Sequence, residues 1–157
     1  MDDDGELQVV LFEIEGVTYG VEVERVLEII RRPEVSRVPA ALDYVEGVIN
    51  LRGNVLPVFD LRRRFRLGGD PARASHIVVL RVHDALAGVS VDGVSQVVRI
   101  PIGRIEPPPP GIAGPQLRYI EGIAKLEAGL CVLLDLDRAF QPAELALGEG
   151  GGDRDAG

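Results

Sequence analysis

The chain has 157 residues, of which 46% are hydrophobic and 27% are charged, and this size and composition suit one compact domain with an apolar core. Its formal net charge of −8 opposes binding to a phosphate backbone, and no stripe of Lys and Arg with interleaved aromatic residues offsets that charge. Because no apolar segment approaches the roughly 18 residues that span a bilayer, the composition argues against both a nucleic-acid-binding and a membrane-spanning protein.

Short apolar runs rich in Val and Ile predict a mainly β chain. These runs cover residues 8–14, 17–23, 48–51, 55–59, 76–82 and 86–91. Gly16, Gly53, Asp84 and Gly129 stand at the breaks, where chain reversal favours residues that tolerate positive φ or supply local hydrogen bonds. Residues 1–6 are predicted to be a flexible N-terminus, and the glycine-rich segment 141–157 is predicted to be largely disordered.

Three short segments carry helical signals. Residues 24–30 have apolar residues at positions 26, 27, 29 and 30, while residues 61–65 and 136–140 each follow an aspartate. Asp60 and Asp135 are predicted N-caps, because a carboxylate there accepts hydrogen bonds from free N–H groups of the first turn. The basic cluster within 62–66 is interpreted as a solvated helix face; its members are Arg62, Arg63, Arg64 and Arg66.

The chain contains an internal repeat. Residues 44–65 align with residues 119–140 at an offset of 75, and residues 19–33 align with residues 87–101 at an offset of 68. The identical pairs include Tyr44/Tyr119, Glu46/Glu121, Gly47/Gly122, Asp60/Asp135, Phe65/Phe140, Gly20/Gly88 and Val26/Val94. Two copies of one β unit, each too small to bury a generous core, are predicted to pack as a single domain over residues 7–140.

The second copy is longer near four consecutive prolines at positions 107–110. Prolines cannot donate to a β ladder and favour an extended polyproline conformation. We interpret this run as a stiff connection, and a ligand for an SH3-type domain is the alternative.

The sequence lacks the residue patterns of common catalytic sites. Neither His76 nor His83 has a metal-binding spacing with Cys131, so no metal or other cofactor is expected. No nucleophile elbow, phosphate loop or dinucleotide fingerprint occurs. Cys131 lies in the apolar run Leu-Cys-Val-Leu-Leu and is predicted to be buried and unreactive. A binding module is favoured over an enzyme, and cysteine usage with the acidic N-terminus predicts a cytoplasmic protein.

Three segments in order resemble the CheW family of bacterial chemotaxis coupling proteins: "YGVEVERVLEI" from Tyr19, "GVINLRGNVLPVFDLRRRF" from Gly47 and "GVSVDGVSQVVRI" from Gly88. The resemblance runs from about Gln8 to Phe140. It implies two packed five-stranded SH3-like β-barrels with a few short helices and a hydrophobic core between the barrels. It also implies a protein without catalytic activity or cofactor.

The resemblance further implies two partners, the cytoplasmic signalling hairpin of a chemoreceptor and the regulatory domain of a CheA-type histidine kinase. The protein is then expected to be a monomer in isolation and to be recruited to membrane-associated receptor arrays. Two alternatives stay open: a paralogue serving surface motility, pili or development, and a scaffold that binds another helical or receiver-domain partner outside such arrays.

The resemblance assigns receptor binding to a set of residues near the Arg-Gly pair, namely Val26, Glu28, Gly47, Asn50, Arg52 and Gly53. The second copy has Glu127 at the place of Arg52, so the fold itself does not demand arginine there. A structural salt bridge is the alternative for Arg52, and core packing is the alternative for Val26. Gly47 and Gly53 have backbone roles as their alternatives.

Overall fold

A computed structural model describes residues 5–39, 43–110, 118–140 and Leu145. The strands in this part of the chain are β1 (Glu6–Ile14), β2 (Val17–Glu22), β3 (Val26–Arg31), β4 (Val45–Leu51), β5 (Asn54–Phe59), β6 (His76–Val82), β7 (Ala85–Val91), β8 (Gly93–Pro101), β9 (Ile105–Glu106), β10 (Ile120–Leu126) and β11 (Gly129–Leu134). The helices are α1 (Leu61–Arg64) and α2 (Leu136–Ala139), with single 3-10 turns at Val23–Arg25, Pro71–Arg73 and Ile102–Arg104.

The strands form two sheets, and each sheet curls into a small barrel. Barrel 1 has the strand order β3-β6-β7-β5-β4, and barrel 2 has the order β8-β1-β2-β11-β10-β9. Neighbouring strands are antiparallel except at β5–β7 and β2–β11, which pair in parallel. The predicted pair of five-stranded barrels is confirmed, with β9 as a two-residue sixth strand on barrel 2.

The sequence repeat maps onto these elements strand by strand. Repeat 1 consists of β1 to β5 and α1; its equivalents in repeat 2 are β6, β7, β8, β10, β11 and α2. Each barrel nevertheless takes strands from both repeats, because the hairpin β1–β2 pairs in barrel 2 and the hairpin β6–β7 pairs in barrel 1. The two repeats have therefore exchanged their first hairpins. In each barrel, the parallel pair is a place where the exchanged hairpin contacts a strand of the other repeat.

The largest hydrophobic cluster lies between the barrels. It contains every aromatic residue of the chain, namely Phe12, Tyr19, Tyr44, Phe59, Phe65, Tyr119 and Phe140. Each barrel also has a smaller aliphatic core of its own, around Val79 in barrel 1 and around Val9 in barrel 2. Since aromatic side chains bury the most apolar area, their placement makes the contact between the barrels the main core of the fold.

The helical prediction for residues 24–30 is wrong. One 3-10 turn at Val23–Arg25 precedes strand β3, which pairs antiparallel with β6 at the edge of barrel 1. Val26, Ile29 and Ile30 are β-branched and fit a pleated strand, and the pairing with β6 outweighs the weak helical spacing.

The interpretation of the arginine cluster as a solvated face is wrong for two of its members. Arg62 is 2% exposed, and Arg64 is partly buried, while Arg63 and Arg66 are exposed. Arg62 donates from Nε to Glu15 at 2.6 Å and from Nη2 to Asp92. The charge pattern of a four-residue helix could not reveal these partners, because they lie in turns distant in sequence.

The helix caps, the N-terminal segment and the proline run were also predicted from the sequence. Asp60 and Asp135 are confirmed as N-caps: their carboxylates accept from the backbone N–H groups of Arg62 and Arg138. Strand β1 begins at Glu6, inside the range predicted to be flexible. Prolines 107–110 follow β9 and belong to no strand. The predicted disorder of segment 141–157 lies outside the described residues, apart from the buried Leu145.

Candidate binding surface

The turn between β4 and β5 presents Arg52 to solvent. Arg52 has φ 51° and Gly53 has φ 88°, so both central residues of this hairpin turn are left-handed. Such turns favour Asn or Gly at both positions, and an L residue with a long side chain costs roughly 1 to 2 kcal/mol there. Asn50 holds the turn, because its Oδ1 accepts from the Gly53 N–H at 2.8 Å. A strained position occupied by an exposed arginine points to a role for that side chain.

Arg52 forms a two-pronged ion pair with Glu28 of β3. Its Nη1 donates to Oε1 at 2.8 Å and its Nη2 donates to Oε2 at 2.5 Å. The hydrogen bond from Arg52 holds the pKa of the Glu28 carboxyl below its ordinary value. The Arg52 side chain is nonetheless 68% exposed. Glu28 occupies two of the five N–H donors of the guanidinium, so the ion pair leaves donors for a partner.

Exposed aliphatic side chains lie near this ion pair in the sequence. Leu27 and Ile29 flank Glu28 in β3 and are 48% and 38% exposed, and Val55, three residues after Arg52, is 49% exposed. Ile29 lies on the side of β3 opposite to Glu28, because successive side chains of a strand face opposite sides. We call the ion pair with the turn that carries Arg52 the Arg52 surface. Sequence reasoning missed Leu27 and Ile29 because it assigned them to a helix, whereas a strand reading would have placed them on one side of β3.

The remaining predicted site residues lie apart from the Arg52 surface or serve the backbone. Val26 is partly buried and packs against the core between the barrels. Gly47 lies where a Cβ atom would approach the Ser36 carbonyl oxygen to 2.2 Å, so the close pairing of Ser36 with Val48 requires glycine. The structure thus brings together Glu28, Asn50, Arg52 and Gly53, and it gives Val26 and Gly47 packing roles.

Barrel 2 has a different surface at the equivalent place. Glu127 stands at the position of Arg52 and Gln96 at that of Glu28, and no hydrogen bond joins these two described residues. A groove of about 800 Å³ lies there, lined by β8, the β10–β11 turn and the β1–β2 turn. Leu130 and Val97 are the most exposed large apolar side chains of the described residues. The two barrels therefore present apolar surfaces with different polar groups.

The described residues contain no group of three or more His, Cys, Asp or Glu side chains placed to hold a metal ion. The prediction for Cys131 is confirmed: it is fully buried, and burial raises the pKa of its thiol to about 11. Among the helices in the described ranges, none has the length and apolar character to cross a membrane.

Comparison with known proteins gives likenesses over nearly the whole chain. Residues 8–144 match the family described as CheW-like domain. The chain is 30% identical over 149 residues to the chemotaxis protein CheW of Treponema pallidum (strain Nichols), covering 91% of this chain and 87% of that protein. It is 33% identical over 129 residues to the chemotaxis protein CheW of Bacillus subtilis (strain 168), covering 82% and 83%.

A solved structure shows the same fold. The crystal structure of scaffolding protein TtCheW from Thermoanaerobacter tengcongensis superposes with a TM-score of 0.78 at 30% sequence identity, covering 88% of this chain and 95% of that chain.

Proposed function

The chain belongs to the CheW-like family, and from this premise we propose that it is a chemotaxis adaptor that couples chemoreceptor signalling hairpins to a CheA-type histidine kinase without catalysing a reaction itself. The names of its relatives, chemotaxis protein and scaffolding protein, support this function. They do not favour the alternatives, which are a paralogue serving surface motility, pili or development and a scaffold that binds another partner outside receptor arrays. The adaptor works in the cytoplasm beneath membrane-bound receptor arrays.

The Arg52 surface is the receptor-binding site in this proposal. A receptor hairpin consists of amphipathic helices, which offer apolar side chains flanked by polar groups. Leu27, Ile29 and Val55 are exposed apolar side chains of the same barrel, and Arg52 supplies free N–H donors for a carboxylate or a helix-end carbonyl. The observation that carries the assignment is an exposed, ion-paired arginine in a left-handed turn.

Coupling needs only differential binding. An adaptor that binds one receptor state more tightly than another shifts the population of that state, and it transmits the shift to a kinase held in the same complex. No group in the adaptor has to react. The regulatory domain of the kinase is the second partner in this proposal.

The first experiment is a pull-down of the protein with a receptor hairpin and, separately, with the regulatory domain of a CheA-type kinase. Wild type is expected to bind both. Arg52→Glu is expected to lose at least tenfold in hairpin affinity, about 1.4 kcal/mol, and to keep the kinase domain. Lys125→Ala is the matched control, because Lys125 forms an exposed ion pair with Glu106 at 2.9 Å on barrel 2.

A charge-swapped variant distinguishes two roles of Arg52, contact with the receptor and stabilisation of the fold through its ion pair with Glu28. The double variant Arg52→Glu with Glu28→Arg restores an ion pair of reversed polarity inside the protein. If Arg52 contacts the receptor, the double variant regains the wild-type melting temperature and still fails to bind the hairpin. Regained binding would show that Arg52 only stabilises the fold through an ion pair. A wild-type protein that binds neither partner would contradict the adaptor function.

A further inference from the structure

Arg64 joins the two barrels at their centre. Its guanidinium carbon lies 4.4 Å from the ring centroid of Tyr44 and 4.8 Å from that of Tyr119. Its Nε and Nη2 donate to the Ala139 carbonyl oxygen at 3.2 and 3.0 Å. One partly buried cation therefore contacts two aromatic faces and one helix end, which are favourable contacts for an arginine.

The partners of Arg64 are related by the repeat. Tyr44 and Tyr119 are equivalent residues at the offset of 75, and Ala139 is the equivalent of Arg64 itself. A side chain that lies between two equivalent rings and binds the backbone of its own equivalent lies at the approximate two-fold axis of the molecule. Arg64 thus stands where any rotation of one barrel against the other must change its contacts.

Each ring is fixed to a different barrel. The Tyr44 carbonyl oxygen accepts from the Asp60 N–H and the Tyr119 carbonyl oxygen accepts from the Asp135 N–H, both at 2.8 Å. Tyr44 directly precedes β4 of barrel 1, and Tyr119 directly precedes β10 of barrel 2. Tyr119 also stacks on Phe65 at 5.6 Å between centroids. Contact of Arg64 with both rings consequently depends on the relative orientation of the barrels.

We propose that Arg64 is a positioning residue that sets the orientation of barrel 1 relative to barrel 2, and that coupling of receptor to kinase depends on this orientation. The second half rests on the proposed adaptor function. The Arg52 surface lies on barrel 1 alone, so receptor binding by itself does not require Arg64. This half takes the kinase domain to contact barrel 2, so that a fixed angle between the barrels holds receptor and kinase in one arrangement.

Distance measurements test the first half without any partner. Spin labels are attached to the exposed and equivalent positions Glu13 of barrel 2 and Arg81 of barrel 1, as Glu13→Cys and Arg81→Cys in a Cys131→Ala background. Arg64→Met, which keeps apolar volume without charge or donors, is expected to broaden or shift the distance distribution between the labels. Arg64→Lys keeps the cation and is expected to restore it, and Arg63→Met on the same helix is expected to change nothing.

A wild-type distribution in folded Arg64→Met overturns the proposal. Should that variant not fold, Tyr119→Leu removes one ring and keeps the arginine; it is expected to alter the distribution, and a wild-type distribution in that variant overturns the proposal equally. Both measurements stand whether or not the chain is an adaptor.

Reconstituted receptor, adaptor and kinase test the second half. Arg64→Met is expected to bind the receptor hairpin like wild type and to lower receptor-dependent kinase activity about fivefold or more, the low end of coupling between linked sites. Arg64→Lys is expected to recover most of that activity. Unchanged kinase activity despite an altered distance distribution would disprove the link between orientation and coupling. Failure of the wild type to bind the hairpin would instead contradict the adaptor function itself.

Discussion

Arg62 is a buried cation held by carboxylates from two different turns. Glu15 lies between β1 and β2, and Asp92 lies between β7 and β8, so this ion network ties α1 to both barrels. A buried charge is costly when unpaired, and its removal leaves the two carboxylates facing each other in a poorly solvated site. The network stabilises one end of the interface between the barrels.

Replacing Arg62 by Ala is expected to lower the free energy of unfolding by about 3 to 5 kcal/mol, the usual cost of breaking a buried pair. Urea denaturation followed by circular dichroism measures this change. Arg63→Ala is the control on the same helix, because Arg63 is exposed, and it is expected to cost less than about 1 kcal/mol. A similar small cost for both variants would contradict the buried network.

The carboxyl of Glu28 reports directly on Arg52. Its pKa lies below the ordinary 4.5 because Arg52 donates to it, so the ion pair favours the folded state above pH 4.5 and this effect is lost as pH falls through the lowered pKa. In Arg52→Ala the pKa is expected to rise toward 4.5. An NMR titration of the side-chain carboxyl measures it, and an unchanged pKa would show that the ion pair does not persist in solution.

At the scale of elements, glycine permits each exchanged hairpin to pack closely against the barrel in which it pairs. Gly20 in β2 and Gly88 in β7 are equivalent, and each pairs in parallel with a strand of the other repeat. A Cβ atom at Gly20 would lie 2.5 Å from Val9 Cγ1 and 2.9 Å from Cys131 Sγ. No side chain fits between β2 and the core of barrel 2 at this point.

Gly20→Ala is therefore expected to lower the free energy of unfolding by about 1 to 3 kcal/mol through overpacking. Gly93→Ala in β8 is the control, because a Cβ atom there meets nothing within 4 Å, and it is expected to change stability by less than about 0.5 kcal/mol. Equal melting temperatures for the two variants would show that β2 tolerates a side chain at position 20.

The sequence predicts elements better than it predicts their partners. The offset of 75 places β4, β5 and α1 on β10, β11 and α2, and the offset of 68 places β2 and β3 on β7 and β8, because equivalent residues adopt equivalent local structure. Strand β3 was missed because Val26, Leu27, Ile29 and Ile30 satisfy a helical spacing, and only pairing with β6 decides against it. Contacts between distant residues, such as Arg52 with Glu28, depend on the fold and leave no trace in one sequence.

At the scale of the whole molecule, the hairpin exchange makes the two repeats mutually dependent. Repeat 1 alone would lack β6 and β7 to complete barrel 1, and its own hairpin β1–β2 would have no barrel 2 to join. Barrel 1 is built from consecutive strands, β3 to β7, but three of them belong to repeat 1 and two to repeat 2, and barrel 2 combines β1 and β2 with β8 to β11. Folding of either barrel thus requires both halves of the sequence.

Fragments cut between Gly68 and Gly69, in the exposed loop after α1, test this dependence. Residues 1–68 and 69–157 are each expected to be unfolded alone by circular dichroism, and an equimolar mixture is expected to recover the β spectrum and a cooperative melt. Independent folding of either fragment would contradict the mutual dependence of the two repeats.

The lone arginine between Tyr44 and Tyr119 bears on how such a chain can arise by gene duplication. A symmetric dimer of identical halves has an arginine from both halves at its axis or from neither, and two guanidinium groups between the same rings would repel each other. A fused chain escapes this restriction, since Arg64 and Ala139 are free to differ. Fusion therefore permits an asymmetric centre that an assembly of identical halves cannot possess.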